Sequence, residues 1–163
     1  MEKKFDLKDI KVHRTHEGNI FEIVFAVVAI VVWGLIIWMV NQAPDIVPTH
    51  FDGSGRPNAY GSPTGIIIPC IIVTIAAICM MVIAYFPRHI NMPFAITIIR
   101  QVELVIRMTR IAGLLFLVLT LVIGWTSLGS INHGGPSAIP ILTIVGLLFV
   151  VIIVFTILVH KAK

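Results

Sequence analysis

The side chains best suited to chemistry in this chain lie in the polar segment 42–64 and in a second, shorter one, SINHGGPS. The polar groups that matter are Asp45, His50, Asp52 and Tyr60 in the first segment and His133 in the second. Two histidines and two carboxylates could bind a divalent metal. Neither H-x-x-x-H nor C-x-x-C spacing is present, so His50, Asp52 and His133 are weak metal candidates, and we expect no cofactor. The competing interpretation is structural: the imidazole of His50 hydrogen-bonds the loop backbone.

Apolar helices must position this segment. Hydrophobic residues make up 58% of the chain, charged residues only 12%, and the mean hydropathy is +1.00. A soluble domain needs about a quarter of its residues charged. Four apolar runs approach or exceed the roughly 20 residues that cross a bilayer, and their backbone groups must be satisfied internally, as in helices. We therefore predict an all-α membrane protein, a single domain over 1–163, with four transmembrane helices at about 21–41, 65–86, 111–130 and 138–159.

The charges predict the orientation of this bundle. Eleven of the 12 basic residues fall before the first run, in the connector 87–110 or after the fourth run, and only Arg56 lies in the loop 42–64. By the positive-inside rule both termini are cytoplasmic and the loop faces outward. The net charge of +4 then reflects topology and attraction to anionic lipid. We expect the lipid bilayer as a partner and no nucleic acid.

The connector between the second and third runs predicts an amphipathic helix at the membrane interface. Pro87 and Pro93 interrupt it, so a new helix should begin near Phe94 and bend into the third span. Three arginines share one face of that helix: Arg100, Arg107 and Arg110. This face could contact lipid headgroups or dock a cytoplasmic partner.

Within the four runs the polar residues are few and mild. They are chiefly threonines and glycines, which allow close helix contacts and hydroxyl bonds back to the backbone. Since no ionisable residue lies at depth, the pattern disfavours a pump or an ion-coupled transporter. Cys70 and Cys79 lie nine residues apart on one predicted helix, so they cannot form a disulfide within one chain.

The loop itself contains strong turn signals. Pro44 and Pro48 keep the entering chain extended, and the sequence DGSG at 52–55 is typical of a turn. Ser62 or Thr64 could cap the second span. We therefore expect a compact cap across the helix ends, with His50 as a structural residue.

The loop also resembles a known signature. Its pattern, P-x-x-[IV]-P-T-H-[FWY] followed by G-x-[PA]-[DN]-x-[FYW]-G-[SG], resembles that of a domain of unknown function that also forms the N-terminal part of SdpI-type immunity proteins. The matching residues are Pro44, Pro48, Thr49, His50, Phe51, Gly55, Pro57, Asn58, Tyr60, Gly61 and Ser62. The connector resembles that of small four-span members at Phe86, Pro87, Asn91 and Pro93. SdpI-type proteins have six spans where this chain has four.

The resemblance implies a multi-pass protein of the bacterial cytoplasmic membrane that is not an enzyme. In SdpI-type members the role is protection against a secreted toxic peptide, with a repressor held at the membrane. A secreted peptide outside and a cytoplasmic regulator inside are therefore the candidate partners, and an oligomer is compatible with the sequence. Residues His50, Asp52 and Tyr60 would then belong to a ligand-sensing or structural loop. The alternatives are an interaction subunit of a membrane complex and a small metal-dependent membrane enzyme.

Overall fold

The computed structural model describes residues 12–129 and 137–162. Four helices form most of it: α1 (His16–Gln42), α2 (Ile67–Ile83), α3 (Ile99–Gly124) and α4 (Ile139–Lys161). A π-helical turn, Trp125–Gly129, continues α3, and a 3-10 turn, Pro63–Ile66, precedes α2. Within the described ranges, four helical segments are long and apolar enough to cross a membrane.

The helix α3 is the centre of the bundle, because α1, α2 and α4 all pack against it. Two of its glycines make this possible. A Cβ on Gly113 would lie 3.2 Å from the carbonyl oxygen of Ala77 in α2, and one on Gly124 would lie 3.1 Å from Cγ1 of Ile36 in α1. Small residues at these positions let the helix backbones approach closely, as the composition of the spans predicts.

Threonine hydroxyls inside the spans return to the backbone four residues earlier. The hydroxyl group donates to the carbonyl oxygen of that residue at a distance of 2.7 to 3.0 Å. The four threonines that do so are Thr74, Thr120, Thr143 and Thr156. Thr74 also accepts a hydrogen bond of 3.2 Å from Nε1 of Trp33, which links α2 to α1. These bonds satisfy polar side chains where no water is available.

The connector differs from the interfacial helix predicted to begin near Phe94. Only Pro87–His89 forms a 3-10 turn, and α3 begins five residues later than expected, at Ile99. The reason is the buried side chain of Gln101. Its Oε1 accepts from the backbone N–H groups of Thr97 (2.7 Å) and Ile98 (3.4 Å), so it caps the helix from within. From Ile99 the helix runs without interruption into the third span.

Gln101 also joins α3 to the end of α4. Its Nε2 donates to the carbonyl oxygens of Val159 at 3.1 Å and Ala162 at 3.3 Å. The last carbonyls of a helix lack the regular partner four residues further on. The carbonyl of Val159 also accepts from the backbone N–H of Ala162 at 3.3 Å, and Ala162 directly follows α4. One amide side chain therefore satisfies groups at the start of one helix and at the end of another.

A β-hairpin stands between α1 and α2, in the loop for which we expect a compact cap across the helix ends. The predicted all-α class is therefore incomplete, because this loop adds two short strands to the helices. Strand β1 (Val47–Phe51) pairs antiparallel with β2 (Pro57–Gly61). The register joins Val47 to Gly61 and Phe51 to Pro57, with irregularities on both sides of His50. Burial does not alternate along β1: Val47 and Pro48 at its start are buried, whereas Thr49 and His50 are exposed.

Two ends of the bundle can be distinguished by their contents. The hairpin end holds β1, β2 and the start of α4, because the backbone N–H of Ala138 donates to the carbonyl of Gly55 at 3.3 Å. The terminal end holds the start of α1, the start of α3 and the end of α4.

Candidate functional site

The base of the hairpin is anchored in the apolar core. Val47 is fully buried and belongs to the same core cluster as Ile36 in α1, Cys70 in α2 and Leu128 beyond α3. Pro48 beside it is buried as well. The hairpin is therefore held on the helix ends by burial of apolar surface, which is the main favourable term in packing.

Asp52 organises the turn of the hairpin. Its Oδ1 accepts from the backbone N–H of Ser54 (2.9 Å), from the Ser54 hydroxyl (2.7 Å) and from the backbone N–H of Arg56 (2.9 Å). These bonds favour the charged carboxylate, so the pKa of Asp52 lies below its usual value, with the Ser54 hydroxyl the largest cause. Asp52 thus acts as a turn-forming residue in this structure, with its Oδ1 occupied by the turn.

Gly55 is the contact between the hairpin tip and α4. Its φ of +80° is a conformation that side chains with a Cβ rarely adopt. The turn closes through a 2.9 Å bond from the Gly55 N–H to the Asp52 carbonyl. A Cβ at Gly55 would also lie 3.5 Å from the nitrogen of Ala138. That distance is an ordinary van der Waals contact, so it is the conformation of the turn that favours glycine here.

The exposed face of the hairpin carries three polar side chains. His50 Nδ1 donates to Oδ1 of Asn58 across the two strands at 2.5 Å, and both residues are exposed. In the neutral imidazole this makes Nε2 the acceptor nitrogen. Tyr60, two residues after Asn58 in β2, is 61% exposed as well. His50, Asn58 and Tyr60 together form what we call the hairpin face.

The remaining motif residues support this face. Thr49 is exposed, and its Cγ2 lies 3.3 Å from the position of a Cβ on Gly61. Phe51 and Pro57 are half-buried partners at the end of the ladder. The structure thus divides the motif into residues that build the hairpin and residues that its outer surface presents.

The candidate metal ligands are not gathered. Among the residues that the structure describes, no group of three His, Cys, Asp or Glu side chains is close enough to hold a metal ion. His50 instead bonds an amide, and Asp52 bonds the turn. His133 lies outside the described residues.

At the terminal end the three connector arginines have three different environments. Arg100 is exposed. Arg107 binds Glu17 of α1 through two parallel contacts, Nε to Oε1 and Nη2 to Oε2, both at 2.8 Å. Arg110 is buried, with only 3% of its surface exposed. They therefore do not form the single exposed face that the helical wheel predicted.

Arg110 lies between two aromatic rings. The carbon of its guanidinium is 5.9 Å from the ring centre of Phe21 in α1 and 5.5 Å from that of Tyr85 after α2. The Tyr85 hydroxyl donates a hydrogen bond to Oε1 of Glu22. This bond favours the protonated phenol, so the pKa of Tyr85 lies above its usual value. Three chain segments far apart in sequence therefore meet at Arg110.

Sequence reasoning missed the partners of these arginines. Glu17, Gly18 and Glu22 precede or begin the first apolar run, and Tyr85 ends the second. The available signal was weak: two acids at the charged start of a span are common at any membrane surface. Only the tertiary structure shows that Glu17 pairs with Arg107, whereas Glu22 lies 4.0 Å from Arg14 and accepts from Tyr85.

These features define a class of protein: a multi-pass helical membrane protein with an anchored hairpin at one end and a charged cluster at the other. Residues 27–74 match the family described as Domain of unknown function (DUF1648). That range covers most of α1, the whole hairpin and the start of α2. It contains every residue of the hairpin face and none of the charged residues described at the terminal end, Glu17, Glu22, Arg107 and Arg110.

One relative is an uncharacterized protein of Archaeoglobus fulgidus. It is 34% identical over 61 residues, which cover 32% of this chain and 33% of the relative. The chain thus spans about a third of the length of that relative. No solved structure gives a significant match.

Proposed function

We propose that this protein is a non-enzymatic sensing or immunity protein of the bacterial cytoplasmic membrane, similar to SdpI-type proteins. In this proposal the hairpin face of His50, Asn58 and Tyr60 receives a secreted peptide on the outer side. The observation that carries it is the exposure of this face on a hairpin whose base is buried in the helix core. The match of residues 27–74 to a domain of unknown function supports it.

The chemistry of the face suits a peptide. An imidazole and a carboxamide, already bonded to one another, hold each other in fixed positions, so little rotamer entropy is lost when a ligand binds. A neighbouring tyrosine offers a flat apolar surface and a hydroxyl group. Backbone groups of an extended segment provide both donors and acceptors for such side chains.

The hairpin also offers a route for a signal. Val47 packs in one cluster with α1 and α2 residues, and the carbonyl of Gly55 binds the start of α4. A ligand that shifts the hairpin therefore acts on three helices at once. Any response at the terminal end then requires a ligand that stabilises one arrangement of these helices over another.

Orientation is part of the proposal. Of the arginines and lysines that the structure describes, Arg56 lies at the hairpin end, and the others lie before α1, in the connector 87–110 or at the end of α4. The positive-inside rule then puts the terminal end in the cytoplasm. A regulator that binds there is the proposed cytoplasmic partner.

The test is a protection assay in cells that lack the chromosomal copy of the gene. Cells are complemented with the wild-type protein or with a His50→Ala and Tyr60→Ala double variant, then exposed to the peptide fraction of spent medium. We expect wild-type cells to survive and the double variant to be sensitive, at equal protein levels in the membrane. Protease treatment of the fraction should abolish the difference.

The matched control is His89→Ala, the same change at an exposed histidine of the terminal end. It should protect as well as the wild type. Equal survival of cells with and without the protein, or equal protection by all three proteins, contradicts the proposal.

A second candidate function is an interaction subunit of a membrane complex. The observation in its favour is α4, whose most apolar stretch has none of its residues buried although the helix packs against α3. Purification in a mild detergent, followed by measurement of the mass of the assembly, separates the two functions. A monomer of 18.0 kDa that still protects cells favours sensing.

A further inference from the structure

A cleft opens at the terminal end between α1 and α3, away from the hairpin face. Its volume is about 180 Å³. The lining side chains include Thr15 and Glu17 from the start of α1 and Arg107 and Arg110 from α3. The start of α1 contributes partial positive charge there, since the first backbone N–H groups of a helix point outward.

Arg110 is the unusual member of this cleft. Only 3% of its surface is exposed, and its Nε has no hydrogen-bond partner among the residues that the structure describes. The rings of Phe21 and Tyr85 lie near its guanidinium carbon and stabilise the charge by cation–π attraction. Rings provide no acceptor in the plane of the guanidinium, so the N–H of Nε still requires one.

The nearby carboxylates have other partners or lie too far away. Glu17 is bound by Arg107 in a bidentate pair, and Glu22 accepts from the Tyr85 hydroxyl. Glu103 also lines the cleft, but it lies seven residues before Arg110, about 10 Å along the helix axis, and forms no ion pair with it. Across the described parts of the chain, no carboxylate comes within ion-pair distance of Arg110.

The position of Arg110 along α3 indicates the level of the cleft in the membrane. The charge-free stretch of α3 and its π turn begins immediately after Arg110 and extends to Leu128. Its 18 residues span about 27 Å, which is close to the thickness of the hydrocarbon layer. Arg110 therefore lies at the boundary of that layer, where lipid phosphates are found.

We propose that the Arg110 cleft binds a phosphate group, either of a membrane lipid or of free phosphate, with the guanidinium of Arg110 as its principal donor. The guanidinium presents planar donors that match the oxygens of phosphate. Gly18 leaves the space for this arrangement, because a Cβ there would lie 2.9 Å from Nη2 of Arg110 and 3.2 Å from Nη1. The site is independent of the hairpin face and of the proposed sensing function.

The test measures thermal stability of the full chain in a maltoside detergent, which contains no phosphate. In one arm phosphatidylglycerol is added, with a phosphate-free glycolipid as reference. In the other, inorganic phosphate is compared with chloride at equal ionic strength. With the ligand at about 100 times its Kd we expect the Tm to rise by about 5 to 10 °C in one arm.

The two arms identify the source of the phosphate. A rise with phosphatidylglycerol alone assigns a lipid headgroup, and a rise with inorganic phosphate alone assigns a free ligand. Arg110→Gln should abolish the rise, while Arg100→Gln, at an exposed arginine of the same helix, should leave it unchanged. Gly18→Ala keeps the charge but pushes the guanidinium aside, so it should weaken binding by about tenfold, roughly one good hydrogen bond.

Two results would overturn the site. The first is the absence of a rise in both arms for the wild-type protein. The second is a rise that Arg110→Gln and Arg100→Gln retain equally. If Arg110→Gln does not fold, Gly18→Ala decides in its place: an affinity equal to that of the wild type rejects the proposal.

Discussion

Arg107 and Glu17 join the first turns of α1 to α3 through two parallel hydrogen bonds of 2.8 Å each. Ninety residues separate them in sequence. A bidentate arginine–carboxylate pair fixes the relative orientation of its two helices as well as their distance. Both side chains are almost half exposed, so solvent weakens the attraction between them.

This geometry predicts a measurable coupling between the two residues. In a double-mutant cycle with Glu17→Gln and Arg107→Gln, the coupling free energy of unfolding should be about 0.5 to 1 kcal/mol, because the pair is exposed. It should fall at high salt concentration. A coupling of zero at low salt would show that the pair forms without stabilising the fold.

A second prediction concerns the contact between α2 and α3. Gly113→Ala introduces a Cβ 3.2 Å from the backbone carbonyl of Ala77, an atom that cannot move aside without shifting α2. We expect a loss of about 1 to 3 kcal/mol in the free energy of unfolding, typical of overpacking. Gly146→Ala in α4 is the control, since nothing lies within 4 Å of its Cβ position. Equal stabilities of the two variants would contradict the close approach at Gly113.

A third prediction concerns acid and the hairpin turn. The pKa of Asp52 is lowered in the folded protein, so its contribution to stability is present above the ordinary pKa and is lost as the pH falls through the lowered value. The amide signals of Ser54 and Arg56 should therefore titrate together, with a midpoint below the ordinary value of 3.8. Nuclear magnetic resonance of labelled protein measures both signals.

Asp52→Asn is the matched variant for that titration. The amide oxygen can still accept from the backbone of the turn, but it carries no charge. The hairpin should persist, and the acid-dependent change at Ser54 and Arg56 should disappear. A midpoint at or above 3.8 in the wild type would contradict the hydrogen bonds found at Asp52.

A fourth prediction concerns orientation. In a variant without Cys70 and Cys79, a single cysteine at Ser54 should react in intact cells with a thiol reagent that cannot cross membranes. A single cysteine at His89, at the opposite end, should react only after the membrane is permeabilised. Both wild-type residues are exposed, so burial does not explain a lack of labelling. The reverse pattern would place the hairpin in the cytoplasm.

The sequence by itself determined the four spans, because hydrophobic length and the absence of charge at depth depend on local composition alone. Glycine and threonine composition also indicated close packing and backbone-bonded hydroxyls, which Gly113 and Thr74 show. The turn at Asp52 to Gly55 was predictable for the same reason, since the preference for a turn depends on about four neighbouring residues.

Tertiary structure decided the rest, because it depends on which distant groups meet. The base of the hairpin is buried where Val47 meets residues of α1, α2 and the π turn, which lie far apart in sequence. The start of α3 is set by Gln101, whose second partner is the end of α4, 58 residues away. Likewise Arg107 and Arg110 share one face of a helix in the sequence pattern. One binds a carboxylate and the other is buried, because α1 and the segment after α2 cover only part of that face.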